Sequence, residues 1–425
     1  MHPQDIPFDP DRLAPGTPTR TFVDSHRHDD ATTLALQGGK YPDVCMPLAI
    51  SQIEGWQKAR TKLPRWAAIE GIIFPPHLAL EQCSSDVTAQ YKARLARRLT
   101  DNGESCQGCF ADITGGLGAD FAALAPLFAR AIYVERQQVL CQCARHNFPL
   151  LGLGGAEVWH ADAVEALDRL PALDLLFIDP ARRDSHGART YAITDCTPDL
   201  LPLLPTLLQR AGHVMVKLSP MLDWHHTVEC LQQTVEGCVE EVHIVAMGGE
   251  CKELLLVLSQ RHGDTPAILC CHNDAHDFRT TIGSETAQTA TPTVADATEA
   301  AQAAWLCEPN AAIMKSGCFA TLCQRYPVKA LAANSHLFLA HEHVDAFPGR
   351  QWPVLGVTTL NKRQLRQALD GITRATIAVR NFPLSPEQLR RRLKLSDGGD
   401  IHIVASTTAR REHILFVCGA KGSAT

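Results

Sequence analysis

The sequence predicts an α/β protein built on a parallel, doubly wound sheet, with a helical region before it and smaller α/β modules after it. Three observations carry this. Between residues 109 and 258, short apolar strings alternate with amphipathic stretches, the pattern of strands joined by crossover helices. A glycine-rich turn, Gly115-Gly116-Leu117-Gly118, separates the first string from the first of these helices. Acidic residues end successive strings: Asp112, Glu135, Asp162 and Asp179.

Residues 1–100 read as helical and irregular, with prolines at 10, 15, 42, 64, 75 and 76. The stretch 85–99 has helical spacing and begins on Ser85 and Asp86, either of which caps a helix. Strands follow at 109–112, 131–135, 157–162, 174–179, 213–217, 239–245 and 254–258. Helices are expected from near Asp120, and at 137–147, 163–170 and 200–210. The string 174–179 is almost continuously apolar, as a strand covered on both faces requires. Residues 280–304 are rich in Thr and Ala and read as a linker. Order resumes at 329–339 and again from 354. The end reads helix 362–369, strand 375–379, helix 386–395, strand 400–405 and strand 413–417.

A chain of 425 residues exceeds one core, so two or three domains are expected. No apolar run reaches the roughly 20 residues that span a bilayer, so no membrane partner is expected. The N-terminal MHPQDIPFDPDRL lacks the basic start and apolar core of an export signal, and the expected compartment is the cytoplasm. The 16 cysteines are scattered and read as reduced thiols. Cys106 and Cys109 have CxxC spacing, but neither Cys141 and Cys143 nor Cys270-Cys271-His272 supplies the second half of a zinc site. No metal is expected. The net charge of −6 is unevenly placed: residues 361–425 carry 12 Lys and Arg against 5 Asp and Glu, within a chain total of 40 against 46. A basic tail on an acidic body suggests a polyanionic partner, RNA in particular.

The segment Asp112-Ile-Thr-Gly115-Gly116-Leu-Gly118-Ala-Asp120 follows a strand and opens a helix. Its glycines allow a tight turn and close approach of a ligand. An acid ending the second strand, Glu135, binds ribose hydroxyls at the switch point of an open sheet. Asp162, followed by Ala163, ends the third strand and suits an adenine amino group. Asp179-Pro180 ends the fourth. Each acid taken singly is also a plausible helix cap. A dinucleotide fold shares the first two features, but its turn reads GxGxxG and this one reads GGxG.

The turn resembles the Asp-x-x-x-Gly-x-Gly loop of class I methyltransferases acting on RNA, which implies S-adenosylmethionine as cofactor and a Rossmann-like sheet. Asp112, Gly115, Gly116, Gly118, Glu135, Asp162, Ala163 and Asp179 are its expected cofactor residues. Further strings extend the likeness: 80–85 (LEQCSS), 177–184 (FIDPARRD), 216–220 (VKLSP), 308–315 (EPNAAIMK) and 334–337 (NSHL). From about residue 45 onward the chain resembles a bacterial family of class I methyltransferases with a THUMP-like C-terminal domain. That resemblance implies a helical region at 1–100, a catalytic domain at 101–265, a ferredoxin-like linking segment at 270–345 and a THUMP-like basic domain at 346–425. It says more of fold and cofactor than of substrate.

Exocyclic N-methyltransferases carry Asp/Asn-Pro-Pro-Tyr/Phe after the fourth strand. Here Asp179-Pro-Ala-Arg182 lacks the second proline and the aromatic that stacks a flipped base. Uridine C5 methylation needs a cysteine after the fifth strand, where this chain has Lys217-Leu-Ser-Pro220. The order Lys92, Asp179, Lys217, Glu253 instead resembles the catalytic tetrad of ribose 2′-O-methyltransferases. A lysine of that set would accept the hydroxyl proton while the acids hold it. Lys92 and Glu253 also read as ordinary surface charges. Arg182 and Arg183 would suit a phosphate or a surface pair with Asp184. The acceptor is thus expected to be a ribose hydroxyl or a base nitrogen of tRNA or rRNA. The alternatives are a non-catalytic RNA-binding or assembly protein that keeps the cofactor fold, and a methyltransferase acting on a protein or small molecule.

Overall fold

A strand buried on both faces needs strand neighbours beside it and helices above and below. The apolar strings of the central region are used in this way. The computed structural model describes residues 9–75, 77–100, 108–182, 193–260, 265–273, 275–286 and 292–420. Two compact units divide the chain: Met1–Glu241 with Leu254–Asp264, and Val242–Glu253 with Thr265–Thr425.

The strands of the first unit are β1 Cys109–Asp112, β2 Arg130–Glu135, β3 Glu157–His160, β4 Leu173–Ile178, the two-residue β5 Ala181–Arg182 and β6 Cys196–Thr197, and β7 Ala211–Leu218. β3, β2, β1, β4 and β7 lie side by side in that order, and every pair is parallel. Their C-terminal ends therefore share one edge. The chain winds outward from β1 through β2 to β3, then crosses to β4 on the other side. The switch point lies between β1 and β4, where ligands of open sheets bind.

The sheet is mixed rather than purely parallel. After the crossover helix Trp224–Thr234, β8 Val239–Met247 leads into β9 Glu250–Leu258 through Gly248 and Gly249, both left-handed at φ 61° and 85°. Two residues can only turn the chain straight back. β9 accordingly runs antiparallel to β7, with Lys217 opposite Leu255.

Before the sheet come the helices Pro18–His26, Ala31–Leu36, Met46–Lys62, Pro64–Ala67, His77–Gln82 and Asp86–Thr100. Ala59, Leu63, Trp66, Phe74 and Leu80 of this region pack with Leu117 and Ala119 of the glycine turn. The helical region is thus built onto the turn that follows β1. Ser85 Oγ accepts from Thr88 N at 3.2 Å, which satisfies one free donor at the start of Asp86–Thr100. That helix buries Ala89, Lys92, Leu95 and Ala96. A lysine on the apolar face needs a buried partner.

The second unit holds the tip of the β8–β9 hairpin, Val242–Glu253. Its other strands are β10 Ala267–His272, β11 Ala275–Thr281, β12 Trp305–Pro309, β13 Lys329–Ala330, β14 Phe338–Ala340, β15 Gly349–Thr358, β16 Thr376–Arg380, β17 His402–Thr407 and β18 His413–Cys418. β10 and β11 form an antiparallel pair, and Asn273 at their turn donates its N–H to Ala246 O at 2.9 Å. The remaining seven strands make one sheet, ordered β13-β14-β12-β15-β18-β17-β16. β15 joins its two halves. Gly349 to Pro353 pair with β12, and Val354 to Thr358 pair with β18 across a register shift. Neither β12 nor the first half of β15 was expected as a strand. Each is short, and each is stabilised by a partner 40 or more residues away in sequence.

Alternation along β17 and β18 separates two cores. Ile403, Ala405 and Leu415 pack with Leu365 and Leu369 beside helix Lys362–Ala368 and with Leu389 and Leu393 of helix Pro386–Leu393. Val404, Ile414 and Phe416 face the other core, with Leu306 and Trp352. Both basic helices therefore cover the same face of the sheet. Among the described residues, no helix is long and apolar enough to cross a membrane, and no group of three or more His, Cys, Asp or Glu is placed to hold a metal ion. Cys109 and the other cysteines of the described residues are free thiols. Cys106, Arg183 and Asp184 lie outside the described residues.

Candidate active site at the sheet edge

The glycine turn is held from three sides. Thr114 N donates to Asp112 Oδ1 at 2.9 Å, Gly115 N to Val134 O at 2.9 Å, and Gly116 N to Glu135 Oε2 at 2.9 Å. The other oxygen of Glu135 accepts from Gln137 N at 2.7 Å. Glu135 thus fastens the first turn to the end of β2. The three glycines differ in purpose. A Cβ on Gly115 would lie 2.2 Å from the Tyr133 ring, and one on Gly118 would lie 3.0 Å from Phe148. Those two glycines permit packing. At Gly116, with φ +55°, a Cβ would meet only Thr114 O at 3.7 Å. Gly116 therefore borders open space beside the buried Glu135 carboxylate, a cradle a side chain would fill.

Asp162 is exposed and caps the helix Ala163–Leu167, with Oδ1 accepting from Val164 N at 2.9 Å. Ala163 is buried beneath it. Asp112 is fully enclosed, and burial pushes its carboxyl well above the usual range against the opposing Thr114 N–H; nearby Asp120, Asp179 and Glu135 add to the rise.

Proton linkage ties this raised carboxyl to the stability of the fold. The unfolded chain loses the Asp112 proton in the ordinary carboxyl range, while the folded chain keeps it. Stability therefore falls as pH rises from that range toward the raised value. Asp112→Asn keeps the acceptor for Thr114 and cannot ionise. Its Tm advantage over the parent, both without ligand, should grow from pH 5 to pH 8 by a few degrees, since ~1 kcal/mol shifts Tm by about 2–4 °C in a folding unit of roughly 150–250 residues. A pH-independent difference in differential scanning fluorimetry would show that Asp112 folds as the anion.

A second group of charges lies at the ends of β4 and β7. Asp179 N donates to Thr114 Oγ1 at 2.6 Å, which ties the fourth strand end to the glycine turn. Lys217 Nζ donates to Asp179 Oδ2 at 2.5 Å and lies 3.6 Å from Asp120 Oδ2. Asp120 is buried at the start of helix Ala119–Leu124 and accepts from Ser84 Oγ at 2.7 Å. Its Oδ1 stands 3.2 Å from Lys92 Nζ, and Lys92 is 0% exposed. Three of the four tetrad candidates thus meet, with Asp120 between the two lysines. Glu253 is buried near the start of β9 and belongs to the second unit. Asp120 was visible in the sequence as the first acid after the turn; its nearness to Lys92, 28 positions back, was not.

The helical region also brings Lys62 and Cys83 to this neighbourhood. Lys62 Nζ donates to Leu80 O at 3.1 Å and also to Glu81 O. Burial pushes the Cys83 thiol up to about 11, against the pull of Lys62 and Lys217. It is therefore no thiolate nucleophile at neutral pH.

Comparison with known proteins agrees with this architecture. A family described as ferredoxin-like domain matches residues 305–348, and one described as THUMP domain-like matches residues 349–420. The crystal structure of a protein from Porphyromonas gingivalis W83, assigned as a methyltransferase, is 32% identical, covers 98% of this chain and 100% of its own, and superposes with a TM-score of 0.81. Two uncharacterised S-adenosylmethionine-dependent methyltransferases, from the CDC 1551 and H37Rv strains of Mycobacterium tuberculosis, are each 28% identical over 334 residues, covering 77% of this chain and 82% of theirs. The residues at the sheet edge fit that cofactor: the open cradle at Gly116 lies beside the Glu135 carboxylate, the acid suited to ribose hydroxyls. The chain belongs to the class I S-adenosylmethionine-dependent methyltransferases that carry a THUMP-like C-terminal domain.

Proposed function

We propose that this methyltransferase acts on RNA, a tRNA or rRNA, and that its acceptor is a ribose hydroxyl. The observation that carries the acceptor is the Lys217–Asp179 pair, at 2.5 Å on the C-terminal edge of the sheet. A hydroxyl is a poor nucleophile until its proton is drawn away. Bound S-adenosylmethionine supplies an electrophilic methyl group. Lys217 Nζ, in its neutral form, takes the hydroxyl proton as the acceptor oxygen gains the methyl. Asp179 and Thr114 hold that end of the sheet in place. Lys92 is fully buried, so it acts through Asp120 rather than on the acceptor.

RNA as the substrate rests on the second unit. Lys362, Arg363, Arg366, Arg391, Arg392 and Lys394 are exposed on or beside the two helices that cover one face of the C-terminal sheet, and none has an ion pair among the described residues. Such a face suits phosphates. On this reading residues 1–100 shape the acceptor side, 101–265 hold the cofactor, 270–345 link, 346–425 bind RNA, and the enzyme works in the cytoplasm.

The test is mass spectrometry of nucleosides from the RNA of a deletion strain beside its parent. One 2′-O-methylated nucleoside should vanish in the deletion strain and return when purified protein and S-adenosylmethionine are added to its RNA. Identical nucleoside profiles would refute RNA as the substrate. Loss of a base-methylated nucleoside instead would move the acceptor to a base nitrogen.

A further inference from the structure

We infer that Asp120 is the residue that positions Lys217 for methyl transfer, a buried carboxylate bridging two lysines. This deepens the proposed acceptor chemistry and rests on Lys217 as its base. Asp120 is 8% exposed, Lys217 9% and Lys92 0%. A carboxylate so enclosed is costly unless cations and hydrogen bonds compensate it. Ser84 Oγ donates to Oδ2 at 2.7 Å, Lys92 Nζ lies 3.2 Å from Oδ1, and Lys217 Nζ lies 3.6 Å from Oδ2. Burial alone would raise the Asp120 carboxyl. The ammonium of Lys92, then that of Lys217 and the Ser84 hydroxyl, outweigh it and hold the group below the usual range. Asp120 therefore stays an anion beside Lys217.

The division of labour follows from where each group sits. Asp179 is about one-third exposed, at 36%, and on the proposed reading borders the acceptor. Asp120 is enclosed. One carboxylate meets the substrate while the other holds the amine from within. Lys92 is the counter-charge that keeps Asp120 ionised when Lys217 is neutral, which is the state in which Lys217 takes a proton. Without Lys92, that state would leave a buried carboxylate with only Ser84 to compensate it.

If Asp120 served Lys92 alone and did not act on Lys217, the pair would stabilise the fold and leave the titration of Lys217 unchanged. The experiment therefore reads that titration. Among the described residues, the charged and titratable groups facing Lys217 include Asp120 from the helix after the glycine turn, Asp179 from the end of β4, and Lys62 and Cys83 from the helical region; β9 places Leu255 opposite it. The full chain, without cofactor or RNA, is trace-labelled with acetic anhydride between pH 7 and pH 11. Acetylation of the Lys217 peptide is quantified by mass spectrometry against exposed Lys362 as the internal standard. Asp120→Asn should lower the titration midpoint of Lys217 by about one pH unit, so that acetylation at pH 8 rises about tenfold. Where Asp120→Asn alone fails to fold, the double variant Asp120→Asn/Lys92→Met is labelled beside Lys92→Met, so that the difference between those two is the effect of Asp120. A folded Asp120→Asn whose Lys217 labelling curve matches the parent's, or a double variant whose curve matches that of Lys92→Met, overturns the inference. The labelling involves no RNA, so a failure of the RNA reading leaves this test standing.

Discussion

Lys217→Ala is expected to bind S-adenosylmethionine as the parent does and to lose methyl transfer by roughly 10²–10⁴-fold, the usual contribution of a general base. The cofactor cradle is built from Gly116 and Glu135, on the far side of β1 from β7. Removing the lysine should therefore leave calorimetric titration with S-adenosylmethionine unchanged. Asp179→Ala should lose turnover and some affinity as well, because it removes the carboxylate bonded to Lys217 at the strand end beside the cofactor turn. The two losses should combine to less than their product, since the side chains are bonded at 2.5 Å and act as one unit. The assay uses RNA from the deletion strain as acceptor. Methylation of that RNA by Lys217→Ala at the parental rate would make the lysine structural. Base methylation steered by Asp179 and the Pro180-Ala181 turn would then be the leading account.

Replacing Lys362, Arg363, Arg366, Arg391, Arg392 and Lys394 together by Gln should weaken RNA binding by at least ~100-fold at low salt and flatten the slope of log K against log salt by roughly 4–5, because each lost phosphate contact removes about 0.7–0.9 from that slope. All six side chains are exposed, so each substitution should change stability by no more than ~0.5 kcal/mol. Arg390 is left in place, since it is paired with Asp397 at 2.6 Å and half-buried on the same helix. Substitution is a cleaner test than truncation at residue 345. Cutting there would remove β15 and expose the edge of β12 that pairs with it, confusing lost binding with lost folding. Binding measured by fluorescence anisotropy at 50–300 mM salt with an unchanged slope would mean that RNA docks elsewhere.

The strand ends at the sheet edge were legible because a parallel sheet writes itself locally. Each buried strand is a contiguous apolar run, each run ends on the same edge, and the residue after the run stands where ligands bind. Asp112, Glu135, Asp179 and Lys217 could therefore be placed by position alone. The glycine turn was equally readable as a turn. Which glycine borders open space was not, because Gly115 and Gly118 answer to Tyr133 and Phe148, rings that come from β2 and from the helix after it.

Local sequence determined the strand ends, the two basic helices and the cap at Asp162, since these depend on neighbours within a few residues. Tertiary structure alone decided three things. It joined β12 to β15, making one sheet of two expected modules; it laid both basic helices on one face through Leu365 and Leu389; and it set Asp120 between Lys92 and Lys217. The physical reason is common to all three. A hydrogen-bonded ladder, a shared apolar core and a buried ion pair each take their free energy from a partner distant in the chain. The sequence near one residue carries no record of which partner the fold will bring.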